Sequence, residues 1–363
     1  MEKLVMIPAY KPDQRLTELC KKLSENYAVL VVDDGSGKEY DEVFGETSSY
    51  ATVLRYEKNR GKGGALKYGF SKISELFPEC AFIVTADADG QHTPEDIGKV
   101  ADEVSSSGGL VLGSRAFTGK VPLRSAFGNS VTRFIFRFAS GTKIRDTQTG
   151  LRAFGKDLLD EFSTLKGDRY EYEMTQLMYA AQKKIPIKEV DIETIYEDNN
   201  SSSHFNKFKD SFRIYKVIYT NSTVLKFITS SLVSFGLYYL LVMLLTNFVF
   251  TGDTLFEHPA FLKKLITPVD FATGLSWIAG SFLNFMLNKN WVFKLKERFI
   301  AALGEYYSLA IITFALKNFV FLKLFYEVLH IPLWLSVPMS ELGMYVLNYL
   351  IQKKFIFKNK KAE

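Results

Sequence analysis

Cysteine is scarce in this chain of 363 residues, which holds only Cys20 and Cys80. They show no metal-ligand spacing and form no disulfide framework, so each is expected to be a buried thiol, compatible with a reducing compartment. The opening MEKLVMIPAY lacks an apolar run long enough for a signal peptide. The first domain is therefore expected to stay in the compartment where it is made. The front of the chain lacks any excess of positive charge: residues 1–221 hold 31 Lys and Arg against 32 Asp and Glu. Residues 222–363 hold 14 against 8, and they carry the long apolar runs as well. Positive charge that travels with apolar sequence points to a membrane surface, not nucleic acid, as the partner. Residues 227–250 lack any charge over 24 residues, where a membrane span needs about 20.

What is present is a hydrophobic fraction of 47%, with 31 Phe and 19 Tyr. In the front half short β-rich runs recur: KLVMIPAY (3–10), YAVLVVDDG (27–35), TVLRYEK (52–58), AFIVTADAD (81–89) and GLVLGSR (109–115). Helical patterns fall between several of them, at 17–26, 64–77 and 94–105. The alternation predicts an α/β domain with a mostly parallel sheet and helices on both faces. In such sheets ligands bind beyond the carboxyl ends of the strands. Polar residues fall at those ends, at 8–10, 33–36, 87–91 and 114–115.

Asp87 and Asp89 close the fourth run one residue apart, followed by Gln91. Two carboxylates and an amide at this spacing fit a hard-oxygen site for Mg²⁺ or Mn²⁺, which would neutralise a departing diphosphate. They fit equally an Asx turn capping a helix at Pro94. NRGKGGALKYGF (59–70) sets glycines and Lys62 before a helix, where N–H groups can hold phosphate. It lacks the G-K-[ST] ending of a Walker A loop, and a flexible turn is the alternative. VVDDGS (31–36) and IPAY (7–10) read alone as an acidic turn and a strand end.

Together and in this order, these segments resemble the family-2 inverting glycosyltransferases with the GT-A nucleotide-sugar fold, over residues 1–221. The resemblance implies nucleoside contacts at Pro8, Ala9, Tyr10, Asp33 and Asp34, and a nucleotide contact at Lys62. It implies a divalent metal, Mg²⁺ or Mn²⁺, on Asp87, Asp89 and Gln91. Further on, GSR (113–115), PLRSAFGN (122–129) and DTQTGLRAF (146–154) resemble the polyprenyl-phosphate hexosyltransferase branch, which includes the dolichyl-phosphate mannose and glucose synthases. In that branch arginines matching Arg115 and Arg124 grip the lipid phosphate, a task that suits a permanently charged, forked guanidinium. A surface ion pair is the plain reading of each.

A lipid phosphate is already an oxyanion at neutral pH and attacks with little help from a base. The enzyme then needs cations more than a base. Asp146, Glu171 and Glu173 are the acids left over, expected to bind sugar hydroxyls or orient arginines. Any of them remains open as a base, and the two glutamates suit the positive end of a helix. Asp89, Arg115, Arg124, Asp146 and Glu173 form the expected catalytic set, with Asp87, Gln148 and Glu171 on the nucleotide-sugar side. The mannose branch carries a basic residue in a late loop. The matching stretch here, 197–210, offers His204, Lys207 and Lys209 but no arginine. His204 is taken as a lipid-phosphate contact, and a UDP-hexose is expected ahead of GDP-mannose. DTQTG leans the reading toward a glucose-type donor. The absence of Q-x-x-R-W argues against a processive polysaccharide synthase. A lipid-linked sugar translocase and a transferase acting on another lipid remain as alternatives.

The back half predicts an all-α transmembrane domain over 222–363, with four spans near 227–250, 271–288, 306–325 and 331–351. NFMLNKNWVFK (284–294) and NYLIQKKFIFK (348–358) repeat at an offset of 64 residues, which suggests two helical hairpins, each ending in an aromatic and basic belt. This part resembles the GtrA-like membrane domain. Lys and Arg cluster before the first span and after the second and fourth, which places both termini and the catalytic domain (1–203) in the cytosol. Between them, residues 204–221 align Phe205, Phe208, Phe212, Tyr215 and Tyr219 at helical spacing. This predicts an amphipathic helix on the membrane, with a helix facing the soluble core as the alternative. Lys317 and Glu341, inside spans three and four, are expected to pair. A homo-oligomer is left open.

Overall fold

The computed structural model describes residues 3–115, 123–193, 208–249, 268–296, 298–316, 320–321 and 323–358. The chain divides into two compact units, Met1–Asn221 and Ser222–Glu363. In the first, the described elements run β1 (Lys3–Ala9), α1 (Gln14–Leu23), β2 (Ala28–Asp33), α2 (Asp41–Thr47), β3 (Thr52–Arg55), α3 (Lys62–Leu76), β4 (Phe82–Thr85), α4 (Pro94–Ser107), β5 (Leu110–Arg115), α5 (Leu123–Ser140), β6 (Arg152–Gly155), α6 (Leu159–Thr164), α7 (Glu171–Lys183), β7 (Ile187–Ile192) and α8 (Lys209–Asn221).

The strands form a Rossmann-like sheet in the order β3-β2-β1-β4-β6-β5-β7. β1 pairs in parallel with β2 and β4, and β2 with β3. Helices cover both faces, so β1 and β2 read as unbroken apolar runs buried along nearly their whole length. Val5, Ile7, Val31 and Val84 pack against Leu16, Cys20, Ile97 and Val100 of the covering helices. Burial pushes the Cys20 thiol up to about 12, so it behaves as a small apolar side chain.

Two strands fall outside the sequence reading. β6 enters antiparallel between β4 and β5, pairing Thr85 with Arg152 and Leu112 with Arg152. β7 pairs in parallel with β5. The helices also shift. α1 starts at Gln14 rather than 17 because the Asp13 carboxylate accepts the Arg15 N–H and caps it. α3 starts at Lys62, two residues before the expected glycine. α4 opens at Pro94 as expected, capped by the Thr93 hydroxyl, and stops at Gly108, whose φ of 63° suits glycine.

α8 packs on its own unit through Asp210, Ile214 and Ile218, and the Tyr215 and Thr132 hydroxyls hydrogen-bond at 3.2 Å. The core-facing alternative therefore holds for that face. Phe208 and Phe212 remain 90% and 70% exposed, so the aromatic stripe still faces outward at its start. Phe205 lies outside the described residues.

The second unit is helical: α9 (Thr223–Leu244), α10 (Pro268–Leu287), α11 (Phe299–Leu316) and α12 (Leu333–Ile351). Among the described residues only the stretch Thr223–Val249 is long and apolar enough to cross a membrane, and Phe299–Thr313 is a shorter apolar helix. The surface is apolar, with Leu232, Phe235, Ile311, Ile312 and Leu342 exposed, while Ser230, Ser234, Ser276 and Asn288 are buried. Large apolar residues outside, with small and polar ones buried beside a cluster of Phe285, Tyr306 and Phe357, is an order expected where the solvent is lipid. The repeat is visible in three dimensions. α10 and α12 each end in a π-helical turn, Asn288–Val292 and Gln352–Ile356. Repeat partners touch there: Asn288 Nδ2 donates to Gln352 Oε1 at 3.0 Å, and Phe293 stacks on Phe357 at 5.1 Å. Lys317 and the Glu341 side chain lie outside the described residues.

Candidate functional site

β2, β1 and β4 lie side by side with their carboxyl ends in one row, where Ala9 pairs with Asp33 and β4 ends at Thr85, opposite Met6. Beyond that row lies a cleft of about 560 Å³, and Pro8, Ala9, Tyr10, Asp34, Lys62, Asp87 and Asp89 all line it. The loop after β1 turns through Lys11 at φ 53°, whose N–H donates to Ser36 Oγ at 2.8 Å. Asp33 is buried beneath and accepts from Ser36 N–H and Arg55 Nε, both at 2.9 Å.

Asp34 ties down the glycine-rich loop. Its oxygens accept from the Tyr56 hydroxyl (2.6 Å), Asn59 Nδ2 (3.0 Å), Arg60 N–H (2.7 Å) and Gly61 N–H (2.8 Å). Gly64 N–H donates to the Asp168 carbonyl at 2.9 Å. Three of the loop's N–H groups, those of Arg60, Gly61 and Gly64, thus have partners inside the fold. What the loop sends into the cleft is the Lys62 side chain.

Lys62 Nζ lies 2.5 Å from Asp87 Oδ1 and 2.7 Å from Glu173 Oε1. Burial opposes its charge, but the two carboxylates outweigh burial and hold the ammonium above the ordinary lysine range. Burial alone would raise Asp87; Lys62 and His92 instead hold it well below the carboxylate range. His92 is buried with Nε2 3.5 Å from Asp87 Oδ2. Asp89 goes the other way, pushed up by burial and by the charge on Asp87. Its Oδ1 accepts the Gln91 N–H at 3.1 Å.

The roof of this corner is Gly150. A Cβ there would overlap the Asp87 carboxylate and sit 2.7 Å from Lys62 Nζ. The Thr85 hydroxyl donates to the Gly150 carbonyl at 3.0 Å and fixes it over the site. Among the described residues no three His, Cys, Asp or Glu form a metal cluster. Asp87 and Asp89 are two hard oxygen ligands, and Asp87 already holds one cation, the Lys62 ammonium. That donor set fits a Mg²⁺ or Mn²⁺ ion whose remaining shell is water and substrate phosphate.

A second centre lies at the end of β5. Arg115 forks onto the fully buried Asp146, Nε to Oδ2 at 2.6 Å and Nη2 to Oδ1 at 3.2 Å. Gln148 N–H also donates to Asp146 Oδ1 at 3.0 Å, and the Gln148 side chain is exposed. Glu171 opens α7 and accepts the Asp168 and Arg169 N–H groups at 3.1 and 3.4 Å. It does helix-end work there, and it does not line the cleft. Arg124 lies in the first turn of α5 with its side chain outside what is described, and His204 lies outside the described residues.

Sequence reasoning missed four contributors. Gly150 sat unassigned within DTQTG. Arg152 is fully buried behind the site and joins it to α7 and the DTQTG loop. It donates to the Glu173 carbonyl (2.6 Å), Gln176 Oε1 (3.2 Å) and the Thr149 carbonyl (3.0 Å). Arg169 and Tyr170 line the cleft from the start of α7. A charged residue inside the apolar run LRAF was the one available signal for Arg152.

Residues 4–162 match glycosyl transferase family 2, and residues 260–357 match the GtrA/DPMS transmembrane domain. An uncharacterized protein of Methanocaldococcus jannaschii is 34% identical over 225 residues, covering 60% of this chain and 91% of that one. A UDP-N-acetylglucosamine–dolichyl-phosphate N-acetylglucosaminyltransferase of Methanococcus voltae is 35% identical over 217 residues, covering 53% of this chain and 86% of that one. A human dolichyl-phosphate β-glucosyltransferase is 31% identical, covering 51% and 65%. With the Rossmann-like sheet, the cleft at its strand ends and a helical unit that follows in the sequence, the chain belongs to glycosyl transferase family 2 as a membrane-bound glycosyltransferase with a GtrA/DPMS transmembrane domain.

Proposed function

We propose that the protein is a polyprenyl-phosphate glycosyltransferase that moves a hexose from a nucleotide-diphospho-sugar to a polyprenyl phosphate with inversion. The observation that carries this is one cleft lined by Pro8, Tyr10, Asp34, Lys62, Asp87 and Asp89 together. The names of the relatives from Methanococcus voltae and human, both dolichyl-phosphate sugar transferases, support the acceptor class. The first of those names supports a UDP-sugar donor.

In this reading the base and ribose lie against Pro8, Ala9 and Tyr10, with Asp33 and Asp34 shaping the floor. Asp87 and Asp89 hold Mg²⁺ or Mn²⁺, with Gln91 beside them, and the ion supplies charge neutralisation on the diphosphate. Lys62 approaches the same phosphates. Arg115, aimed by Asp146, receives the lipid phosphate together with Arg124 and His204. An oxygen of the lipid phosphate attacks the anomeric carbon as the bond to the nucleoside diphosphate breaks. Neither partner loses a proton, so no base is required.

The occupied carboxylates support this acceptor. Glu173 holds Lys62, Asp146 holds Arg115, and Glu171 holds two N–H groups. A hydroxyl acceptor such as diacylglycerol would need one of them as a base. The helical unit anchors the enzyme where the lipid resides, with the catalytic unit and both termini on the cytosolic side, where nucleotide sugars are found.

The test is transfer by the purified protein in detergent with undecaprenyl phosphate and Mg²⁺ or Mn²⁺. Labelled UDP-glucose, UDP-N-acetylglucosamine, UDP-galactose and GDP-mannose are offered separately. Label entering the lipid from one UDP-sugar supports the reading. Label entering diacylglycerol instead, or no lipid at all, overturns it.

A further inference from the structure

We propose that Lys62 is a resident counter-cation that leaves Asp87 when a divalent ion and a nucleoside diphosphate enter, so that the two bind as a coupled pair. This rests on the reading of Asp87 and Asp89 as metal ligands.

Three observations carry it. The first is occupancy. Lys62 Nζ holds Asp87 Oδ1, His92 Nε2 stands 3.5 Å from Oδ2, and Glu173 Oε1 shares the ammonium. A divalent ion that takes Asp87 Oδ1 has to displace the ammonium from it.

The second is confinement. Gly150 closes the corner from above, with no room for even a methyl group beside Nζ and the carboxylate. A divalent ion on that oxygen is set against the ammonium, because like charges at such range repel.

The third is that the root of Lys62 is fixed. A Cβ on Gly63 would lie 2.5 Å from Tyr172 Cβ and 2.9 Å from the Arg169 carbonyl. Gly64 N–H is bound to the Asp168 carbonyl at 2.9 Å. The start of α3 is thus locked to the start of α7, which carries Glu173. Only the Lys62 side chain can swing. It pivots on Glu173 toward the cleft that it already lines.

A metal ion arriving alone must displace a well-bound ammonium and leave it with one carboxylate. A metal ion arriving with a diphosphate offers that ammonium new oxygens. The empty site stays partly neutralised, and the filled site gains a second cation on the leaving group, beside the metal ion. Removing Lys62 should therefore uncouple the two ligands, beyond simply adding negative charge to the site.

The experiment measures Mn²⁺ binding to the full-length protein in detergent, by the electron paramagnetic resonance signal of free Mn²⁺, with and without UDP. In the parent protein UDP tightens Mn²⁺ binding by about tenfold or more, within the usual range of coupling between sites. In Lys62→Met, nucleotide-free Mn²⁺ binds tighter and the effect of UDP falls toward onefold. In Glu173→Gln, which keeps Lys62 but leaves it Asp87 alone, nucleotide-free Mn²⁺ binds more weakly than in the parent. Thermal melts establish that each variant is folded, and Glu173→Gln alone decides the matter if Lys62→Met is not. Unchanged UDP dependence in Lys62→Met, or unchanged Mn²⁺ affinity in folded Glu173→Gln, overturns the exchange while leaving the metal site intact. No Mn²⁺ binding by the parent protein, with or without UDP, overturns the metal reading and the exchange with it.

Discussion

Arg115 and Asp146 meet as a bidentate pair, 2.6 Å and 3.2 Å between their nitrogens and oxygens, with the carboxylate fully buried and the guanidinium a quarter exposed. The buried partner fixes the plane of the arginine. Arg115→Lys keeps the charge but loses the planar fork. It is expected to lower kcat/KM for polyprenyl phosphate by about 10- to 100-fold, an arginine fork to phosphate being worth ~1.5–3 kcal/mol. UDP binding, followed by calorimetry, should stay as it was. Asp146→Ala should instead destabilise the fold by about 3–5 kcal/mol, because it strands a partly buried cation.

Gly150 is the roof over Asp87 and Lys62, and no Cβ fits there. Gly150→Ala is expected to lower transfer by about 100-fold, the scale of a 1 Å misplacement at a reacting centre. The melting temperature in detergent should fall only slightly. Wild-type activity in this variant would show that the roof is softer than the geometry requires.

Phe208 and Phe212 lie one helical turn apart and are largely exposed, on a helix whose other face is packed. Phe134 and Phe138 of α5 are exposed in the same way, next to exposed Arg133 and Arg137. Aromatic and basic residues together suit the membrane interface. Phe208→Ser with Phe212→Ser should cut transfer to undecaprenyl phosphate in vesicles by about tenfold, or ~1.4 kcal/mol. Transfer to a short, water-soluble polyprenyl phosphate should not change. An equal loss with both acceptors would assign these residues to the fold of the catalytic unit.

Asn288 joins the two halves of the repeat. Ser230 Oγ donates to its Oδ1 at 2.6 Å, and its Nδ2 donates to Asn284 Oδ1 at 2.9 Å and to Gln352 Oε1 at 3.0 Å. Asn288→Leu is expected to cost about 1–2 kcal/mol in a detergent or bicelle unfolding titration, the upper part of the range for hydrogen bonds between membrane helices. Gln352→Leu should cost less in that background than in the parent protein. Additive losses would mean that the contact between repeat partners carries no energy.

The parts of the fold that were legible in the sequence share one cause. β1, β2 and β4 are buried on both faces, so they stand out as apolar runs, and their ends carry the polar residues that line the cleft. The repeat was legible because identical or similar residue types recur at a fixed offset, and two such pairs face one another. What was hidden depends on contacts distant in sequence. β6 is four residues long and antiparallel, so it has neither the length nor the periodicity of its neighbours. β7 pairs with β5 alone and is mostly half-exposed, which breaks the apolar run that marks a buried strand. The N–H groups of Arg60 and Gly61 looked ready for phosphate until Asp34, 26 and 27 residues earlier, was seen to hold them. Asp87 and Asp89 could be read as a pair, but their opposite electrostatics could not. Lys62 and Glu173 come to Asp87 from two other helices.

The most direct test of the central claim compares Asp89→Ala with the parent protein in the same transfer assay. Both are purified in detergent and shown to melt alike, then given undecaprenyl phosphate, Mn²⁺ and labelled UDP-sugar. Label should enter the lipid with the parent, stop on addition of a chelator, and fall by at least about 1,000-fold in Asp89→Ala, consistent with the several kcal/mol that a metal contributes to transition-state charge. Transfer by Asp89→Ala at the parent rate, or parent transfer indifferent to chelator, would contradict a metal-assisted reaction at this pair of carboxylates.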